Sequence, residues 1–260
     1  NNHSKKDVNC LGYGNIMSDQ IEHKNGLIYL VKLRVSEYIE VLKLQERLRL
    51  RVSKEDLPGI LLLLEHPHIY TLGRRASSKD ILIPQQKIDE LGISVHQIDR
   101  GGEVTYHGPG QLVGYPIINL RRLGIGPLVY VRSLEKMLID ALSDLSIKSE
   151  SDGYPTGVWA QGKKIAAIGV RVSQGVTTYG FAVNVNCDLK YFDNIVPCGL
   201  SHCGITSIFD QGKTVSMNSF SNSVASHFSK KFEVALELKE LLVIGEIDIK
   251  LDVDKSSHRI

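Results

Sequence analysis

Three apolar segments follow one another closely near the middle of the chain, and their spacing limits the possible folds more than any other feature. They span residues 157–160, 164–172 and 176–185, and they are joined by Gln161-Gly162-Lys163 and Ser173-Gln174-Gly175. Connections this short join neighbouring antiparallel strands. The sequence therefore predicts a β-meander in this region.

Strand-like and helix-like patterns alternate through the rest of the chain. Apolar, β-branched runs predict strands at residues 26–34, 60–64, 93–98 and 111–120, with weaker alternation near 243–251. Apolar positions at helical spacing predict helices over about 36–50, 84–90, 128–146 and 216–235. This order is typical of one α/β domain with mixed sheets and helices on their outer faces.

The domain organisation predicted from these patterns has three parts. A polar leader covers residues 1–25, a single folded domain covers 26–236, and an extension of unknown role covers 237–260. The leader has no apolar signal segment, so the sequence leaves the compartment open.

Charge, hydropathy and cysteine spacing exclude several classes of protein. A formal net charge of +2 is too small to indicate a nucleic-acid partner. The longest apolar run, residues 60–64, is far shorter than the roughly 20 residues of a membrane helix. The four cysteines, Cys10, Cys187, Cys198 and Cys203, form no Cys-x-x-Cys pair or metal-ligand spacing, which predicts free thiols in a reducing compartment.

Lys164 opens the apolar strand 164–172 and is the first candidate for chemistry. Strand alternation places Lys164 on one face with Ala166, Ile168 and Val170, and Lys163 on the opposite face. Burial among apolar neighbours disfavours the charged form of a lysine and would make it a useful base. The alternative is that both lysines lie in a solvated turn.

Cys198 is the candidate nucleophile, because it lies between Pro197 and Gly199 and a nearby lysine would favour its thiolate. The alternatives are that it is a small core residue or a redox partner of Cys203. The glycine-rich stretch 100–110 is predicted to be a loop that offers backbone donors, and it resembles no nucleotide-binding motif.

Three histidines stand near these features. His107, within the glycine-rich stretch, is a base, an oxyanion donor or a structural loop histidine, and the sequence does not choose among these roles. His66 and His68 flank Pro67, and without nearby carboxylate or cysteine partners they are interpreted as structural rather than metal-binding.

Five motifs in order resemble the lipoyl(octanoyl)transferases over residues 26–209. They are Arg100-Gly-Gly-Glu-Val-Thr-Tyr-His-Gly-Pro-Gly-Gln-Leu-Val-Gly-Tyr-Pro-Ile, Gly157-Val-Trp, Lys164-Ile-Ala-Ala-Ile-Gly-Val-Arg-Val, Gly180-Phe-Ala-Val-Asn-Val and Ile195-Val-Pro-Cys-Gly-Leu. The resemblance implies the fold of the biotin/lipoate protein ligase catalytic domain. It also implies transfer of an octanoyl group from octanoyl-acyl carrier protein to a lysine of a lipoyl domain.

By the same resemblance, Cys198 forms an acyl-thioester intermediate, and Lys164 favours its thiolate and then acts as base. The expected substrate contacts fall in three segments: Arg100, Gly101, Gly102, Glu103, Val104, Thr105, Tyr106 and His107; Ala167, Ile168 and Gly169; Gly180, Phe181 and Ala182. Ile168 and Val170 are expected to contact the acyl chain, and Phe181, where members often have leucine, is expected to reshape its tunnel.

The resemblance implies no metal and no cofactor. It implies a monomer whose acceptors are lipoyl domains of 2-oxoacid dehydrogenase complexes and the glycine cleavage H protein, without nucleic acid or membrane partners. The compartment would be the cytoplasm in a bacterium, or the mitochondrial matrix or plastid stroma in a eukaryote.

Three rival functions remain open on the sequence. A ligase of the same fold would activate a free acid with ATP without a catalytic cysteine, which the motif around Cys198 disfavours. A thiol protease using Cys198 and His107 lacks a recognisable cysteine signature. An inactive scaffold that binds an acylated partner is the non-enzymatic alternative.

Overall fold

The computed structural model describes residues 24–196, 204–244 and 248–253 of the 260-residue chain. Its strands are β1 (Leu27–Val35), β2 (Ile60–Glu65), β3 (Ile69–Leu72), β4 (Ser94–Gln97), β5 (Val104–His107), β6 (Gln111–Ile117), β7 (Val158–Ala160), β8 (Lys163–Ser173), β9 (Val176–Asn184), β10 (Ala235–Ile244) and β11 (Asp248–Val253). Its α-helices are α1 (Tyr38–Ser53), α2 (Gln85–Glu90), α3 (Pro127–Ser143) and α4 (Met217–Phe232).

The strands form two sheets. The larger sheet has the order β11-β10-β1-β2-β6-β9-β8-β7, and the smaller one has the order β4-β3-β5. In the larger sheet β1 is parallel to both β2 and β10, while the remaining pairs are antiparallel. Mixed sheets with helices on their faces are the architecture that the sequence predicted.

The predicted meander is β7-β8-β9, and its two turns explain why it forms. Each turn has two residues between paired strand ends, Gln161-Gly162 and Gln174-Gly175. Both residues of each turn have positive φ: 51° and 72° in the first, 54° and 86° in the second. This is the type I′ pattern, whose twist matches that of the flanking strands.

Helices cover both faces of the larger sheet. Helices α3 and α4 pack on one face around Leu134, Leu138, Val224 and Phe228, which are fully buried with the core-facing side chains of β8 and β9. On the other face α1 buries its apolar stripe, including Leu48, against β2 and β6. The smaller sheet has its own apolar cluster with Tyr70 and Tyr106.

Two expectations about element boundaries differ from the structure. The stretch 100–110 was predicted to be a loop throughout, but Val104–His107 form β5, since Val-Thr-Tyr-His is a run with high strand propensity. The expected domain boundary after residue 236 falls inside β10, which pairs in parallel with β1. Residues 1–23 of the expected leader lie outside the described residues.

The helices of the described part of the chain are all too short or too polar to cross a bilayer. In the same residues, histidine, cysteine and acidic side chains form no cluster that would hold a metal ion.

Strand β10 gives the first testable prediction. Truncation after Leu236 should lower the free energy of unfolding by roughly 2–4 kcal/mol, because it exposes the edge of β1 and removes the core contact of Leu238. Truncation after Ile244 keeps β10 and removes β11, which among the described strands pairs only with β10, so its effect should be smaller. Urea denaturation of the two truncated proteins makes the comparison, and equal stability would show that β10 is dispensable.

Candidate active site

One cavity lies between the larger sheet and the segment that leads into β5. Its walls come from residues 100–107, from the tip of α1 and from three neighbouring strands, β6, β8 and β9. The lining residues are Tyr38, Arg100, Gly101, Gly102, Glu103, Val104, Thr105, His107, Val113, Tyr115, Thr156, Lys164, Ala167, Ile168, Gly169, Tyr179, Gly180, Phe181 and Ala182. The cavity therefore brings together Lys164 and all the expected substrate-contact residues except Tyr106.

The floor of the cavity is a ladder of small residues on β8 and β9. Ala167 lies opposite Ala182, and Gly169 lies opposite Gly180. Because cross-strand partners share a face, these pairs leave a shallow groove on the sheet. A methyl group placed on Gly169 would lie 3.5 Å from both Arg100 Cδ and Gly101 O, so the roof comes within contact distance of the floor at this point.

The residues between these pairs point to the other face of the sheet. Ile168 lies opposite Phe181, and both pack into the core beneath α3 and α4. The space above Gly114 is filled by the Phe181 ring, and Val170 packs against the same core. The side chains of Ile168 and Val170 therefore lie on the core side of the sheet, although Ile168 is among the residues that line the cavity. That either residue contacts the acyl chain stays a prediction.

Lys164 reaches the cavity through a β-bulge. Trp159 pairs with Lys164 and its neighbour Val158 pairs with Ala166, so Ile165 is an extra residue in β8. Val158 and Trp159 are adjacent in β7 and face opposite sides of the sheet. Because cross-strand partners share a face, Ala166 and Lys164 also face opposite sides. Their predicted common face is wrong for this reason. The prediction that Lys164 rather than Lys163 is the buried lysine is confirmed, since Lys164 is 7% exposed and Lys163 is exposed.

The surroundings of the Lys164 side chain are aromatic. Its Nζ lies 4.9 Å from the centre of the Trp159 ring, which in turn stacks on Tyr154 at 4.8 Å. Trp159 is held in place by its Nε1–H, which donates to Pro155 O at 2.9 Å. A cation over an indole face at this distance is attracted to it, so the ring helps to fix the lysine head group.

The segment that carries the expected nucleophile is fixed at both flanks. Val196 N donates to Asp80 O at 2.9 Å, and Lys164 N donates to Gly204 O at 2.9 Å. Residues 197–203, including Cys198 and Cys203, lie outside the described residues. The flank at Gly204 thus pairs directly with the backbone of the cavity lysine.

A chain of side-chain hydrogen bonds fixes the orientation of His107. Asn184 Nδ2 donates to Thr206 O at 2.9 Å, which leaves Asn184 Oδ1 to accept from Gln111 Nε2 at 2.9 Å. Gln111 Oε1 therefore faces His107 Nδ1 at 2.7 Å. An amide oxygen only accepts, so Nδ1 carries the proton. Burial lowers the pKa of His107 to about 3, and the ring is neutral.

His66 lies beside His107 and is fixed in the same tautomer. Its Nδ1 is 2.7 Å from Ser36 O, a carbonyl that only accepts, so Nδ1 is protonated and Nε2 accepts from the Tyr115 hydroxyl at 2.8 Å. Burial lowers the pKa of His66 to about 4. The structural role predicted for His66 agrees with these contacts, and the ring centres of the two histidines are 5.9 Å apart.

Tyr106 does not reach the cavity. It alternates with Thr105 and His107 along β5, so its ring turns into the core of the smaller sheet. There it stacks on Tyr191 at 5.0 Å, and its hydroxyl lies 2.9 Å from His68 Nδ1. The expected substrate contact of this side chain is therefore not supported. The stack instead anchors the 3₁₀ turn Leu189–Asn194, which precedes the segment carrying Cys198.

Cys187 is the one cysteine within the described residues. Its side chain is buried and donates to Asn184 Oδ1 at 3.5 Å. Burial raises the pKa of this thiol to about 12, which makes the thiolate rare at neutral pH.

Sequence reasoning missed several residues of the site. Gln111, Tyr115 and Asn184 fell within predicted strands and Tyr38 within a predicted helix, and none of the four was given a role in the site. The usable signal was polarity at a buried position: Gln111 and Asn184 are polar residues at the ends of apolar strands, and buried polar groups require partners. Their partners come from distant segments, which the sequence does not reveal.

Comparison with known proteins identifies similar sequences. Residues 37–229 match the family model of the lipoyl protein ligase A/B catalytic domain. The chain is 43% identical over 178 residues to the mitochondrial octanoyltransferase of Arabidopsis thaliana, covering 68% of this chain and 76% of that protein. It is 42% identical over 230 residues to the octanoyltransferase of Caldicellulosiruptor saccharolyticus, covering 87% of this chain and 97% of that protein.

Solved structures share the fold at lower identity. A lipoate-protein ligase A bound with ATP superposes with a TM-score of 0.69 at 17% identity, covering 85% of this chain and 90% of that chain. A bipartite lipoate protein ligase from Thermoplasma acidophilum gives a TM-score of 0.65 at 15% identity, covering 84% and 88% of the two chains. The predicted fold class is confirmed by these likenesses.

The two buried histidines predict a loss of stability in acid. In the unfolded chain both histidines become protonated below about pH 6.5. In the folded protein burial lowers the pKa of His66 to about 4 and that of His107 to about 3, so both rings stay neutral until lower pH. The free energy of unfolding should therefore fall with falling pH, by up to about 1.4 kcal/mol per pH unit for each histidine. In urea denaturation, His66→Gln should have a flatter pH dependence over this window.

Phe228→Leu is the control, because it disturbs a fully buried core position without removing a titratable group. It should lower stability by a similar amount at every pH. If His66→Gln keeps the steep acid dependence of the unsubstituted protein, His66 is not buried as a neutral ring.

Proposed function

The chain belongs to the lipoyl protein ligase A/B catalytic-domain family and within it to the octanoyltransferases, and on this basis we propose a mechanism of octanoyl transfer to lipoyl domains through a thioester on Cys198. The protein is an acyltransferase of the lipoyl(octanoyl)transferase type. The observation that carries the mechanism is the cavity in which the buried Lys164 stands at one end of a small-residue groove.

The proposed donor is octanoyl-acyl carrier protein. The Cys198 thiolate attacks the donor thioester, a new C–S bond forms, and the carrier sulfur leaves and takes a proton from the Lys164 ammonium. This step exchanges one thioester for another and needs little driving force. It leaves an octanoyl group on Cys198 and a neutral amine on Lys164, which is the protonation state that the second step requires.

The acceptor is a lysine on a lipoyl domain. Its amine attacks the Cys198 thioester, the C–N bond forms and the C–S bond breaks. The amine proton goes to Lys164, and the thiolate–ammonium pair is restored. The product amide is more stable than the thioester, so this step drives turnover. Lys164 therefore serves as acid in the first step and as base in the second.

The acyl chain is proposed to lie along the groove rather than against the large side chains of β8. Two residues along a strand advance roughly 6.7 Å. Seven C–C bonds of about 1.5 Å, arranged in a zigzag, span roughly 9 Å. A chain whose carbonyl lies just before the Ala167–Ala182 pair, on the side of Lys164, thus passes this pair and ends near Gly169, where the roof meets the floor. Phe181, whose ring packs over Gly114, contributes backbone to this groove.

Charged residues beside the cavity support an acidic carrier. Arg74 and Arg171 share a salt bridge with Asp99, at 3.1 and 3.3 Å, and Arg75 lies 4.0 Å from Glu103. Three arginines against two carboxylates leave this surface positive. Such a surface increases the rate of encounter with an acidic protein.

The remaining partners and the compartment are proposed from the family. The acceptors would be lipoyl domains of 2-oxoacid dehydrogenase complexes and the glycine cleavage H protein, and the enzyme would act as a monomer. The plant relative is named mitochondrial. The proposed compartments are the bacterial cytoplasm, the mitochondrial matrix or the plastid stroma.

Intact-mass spectrometry after mixing with octanoyl-acyl carrier protein tests the mechanism. The protein should gain one octanoyl group, and Cys198→Ser should gain none, because the thiolate that attacks the donor thioester is gone and a serine hydroxyl is a much weaker nucleophile. Lys164→Met should form the adduct more slowly and shift the pH midpoint of Cys198 alkylation upward, because the ammonium that favours the thiolate is gone.

Cys187→Ser is the matched control and should still form the adduct, since the Cys187 thiol is buried and largely protonated. An octanoyl adduct that persists in Cys198→Ser would assign the nucleophile to another residue. Efficient modification of a lipoyl domain from octanoate and ATP, without a carrier, would favour a ligase instead.

Gly169 gives a prediction about chain length. Gly169→Ala should shift the preference from octanoyl toward shorter acyl groups, because the added methyl contacts Arg100 Cδ and Gly101 O and closes the end of the groove. Each excluded methylene costs about 0.8 kcal/mol, roughly a fourfold change in the rate ratio. A competition among hexanoyl, octanoyl and decanoyl carriers, read by intact mass, measures this ratio.

Gly126→Ala is the control, because a methyl group there meets no atom within 4 Å and lies outside the cavity. It should leave the chain-length preference unchanged. An unchanged preference in Gly169→Ala would show that the acyl chain does not end at this position.

A further inference from the structure

The hydrogen-bond chain that orients His107 is connected to the backbone of Lys164. Asn184 donates to Thr206 O, and Thr206 N donates to Lys164 O at 3.0 Å. Across the sheet, Gln111 pairs with Asn184, one row beyond the pair of Val183 with Ala166. His107 and Lys164 therefore stand at the same end of the groove, and both line the cavity.

The direction of these hydrogen bonds determines what His107 can do. Its Nδ1–H is used by Gln111 Oε1, so Nε2 carries only a lone pair. Nε2 makes no hydrogen bond to any residue in the described ranges. The ring stacks on Tyr38 at 6.1 Å and is buried, which keeps it from taking up a second proton near neutral pH. His107 can thus accept a hydrogen bond in the cavity but cannot donate one to an oxyanion.

We propose that His107 Nε2 accepts one N–H of the acceptor lysine's amine during the second half-reaction, and that Gln111 and Asn184 are positioning residues that hold His107 in this acceptor tautomer. The inference rests on the proposed transfer mechanism. The attacking amine must direct its lone pair at the thioester carbonyl. An acceptor at Nε2 holds one N–H away from the carbonyl, while the proton lost on C–N bond formation goes to Lys164.

A hydrogen-bond acceptor fixed at His107 Nε2 affects only the second half-reaction, the transfer to the lysine amine. Thiolate attack on the donor thioester involves no amine, so His107 contributes little there. Attack by the lysine amine depends on orientation, for which misplaced reactants commonly lose about a hundredfold in rate. The ratio of the two half-reaction rates therefore separates this role from a purely structural one.

Single-turnover kinetics on the full chain test the proposal. Acyl-enzyme formation from octanoyl-acyl carrier protein is followed without acceptor, and transfer from the isolated acyl-enzyme to a lipoyl domain is followed separately. His107→Phe keeps an aromatic ring without an acceptor and should slow transfer at least about tenfold more than acylation. Gln111→Met should slow transfer selectively as well, because the ring is then free to change tautomer.

A pH profile supplies a signature that simple misfolding does not give. Gln111→Glu places a carboxylate at Nδ1–H, which favours the imidazolium. As the pH is lowered, the transfer rate of this variant should begin to fall at a higher pH than the transfer rate of the unsubstituted enzyme. The pH dependence of the acylation rate should be unchanged. Gln45→Met is the control: Gln45 is a buried glutamine whose Oε1 accepts from Tyr179 N, and its loss should leave the ratio of half-reactions unchanged.

Two results would overturn the proposal. One is an equal loss in both half-reactions for His107→Phe and Gln111→Met, which would make the histidine a structural residue. The other is ¹⁵N NMR of the labelled ring showing the proton on Nε2. Failure of the unsubstituted enzyme to form an acyl-enzyme would instead refute the thioester mechanism, so the two failures are distinguishable.

Discussion

The antiparallel ladder between β8 and β9 is the constraint on which the site depends. Its register places Ala167 against Ala182 and Gly169 against Gly180 on one face, and Ile168 against Phe181 on the other. A one-residue slip would exchange these faces, filling the groove with large side chains and leaving the core with small ones. The two type I′ turns of the meander fix the register locally, so the groove and the core are specified together.

The bulge at Ile165 and the hydrogen-bond chain at Gln111 complete the reactive end of this groove. The bulge reverses the facing of one residue, and that residue is the only lysine among the cavity-lining residues of the described chain. Next to it, buried imidazoles would be costly unless their nitrogens had partners. Within the described residues, His66 uses both of its nitrogens, whereas His107, which lines the cavity, uses only Nδ1. This asymmetry distinguishes a supporting histidine from one that can meet a substrate.

Much of this arrangement was predictable from the sequence, and the exceptions have physical causes. Period-two patterns and short glycine turns predicted the meander, and the motifs grouped nearly all the residues that line the cavity. Alternation alone misplaced Ala166 relative to Lys164, because a bulge adds a residue without a clear local signal. Gln111 and Asn184 were missed because their partners, His107 and Thr206, come from separate segments. The sequence did not place β10 within the domain, because its partner strand β1 lies at the other end of the described chain and the pairing has no local signal.

A crystal structure of the enzyme trapped as its octanoyl thioester tests the central claim most directly. The account predicts a thioester on Cys198 whose acyl chain runs over Ala167 and Ala182 and ends at Gly169 beneath Arg100. Lys164 Nζ and His107 Nε2 should flank the carbonyl. An acyl chain that runs elsewhere, or a thioester on another cysteine, would contradict it.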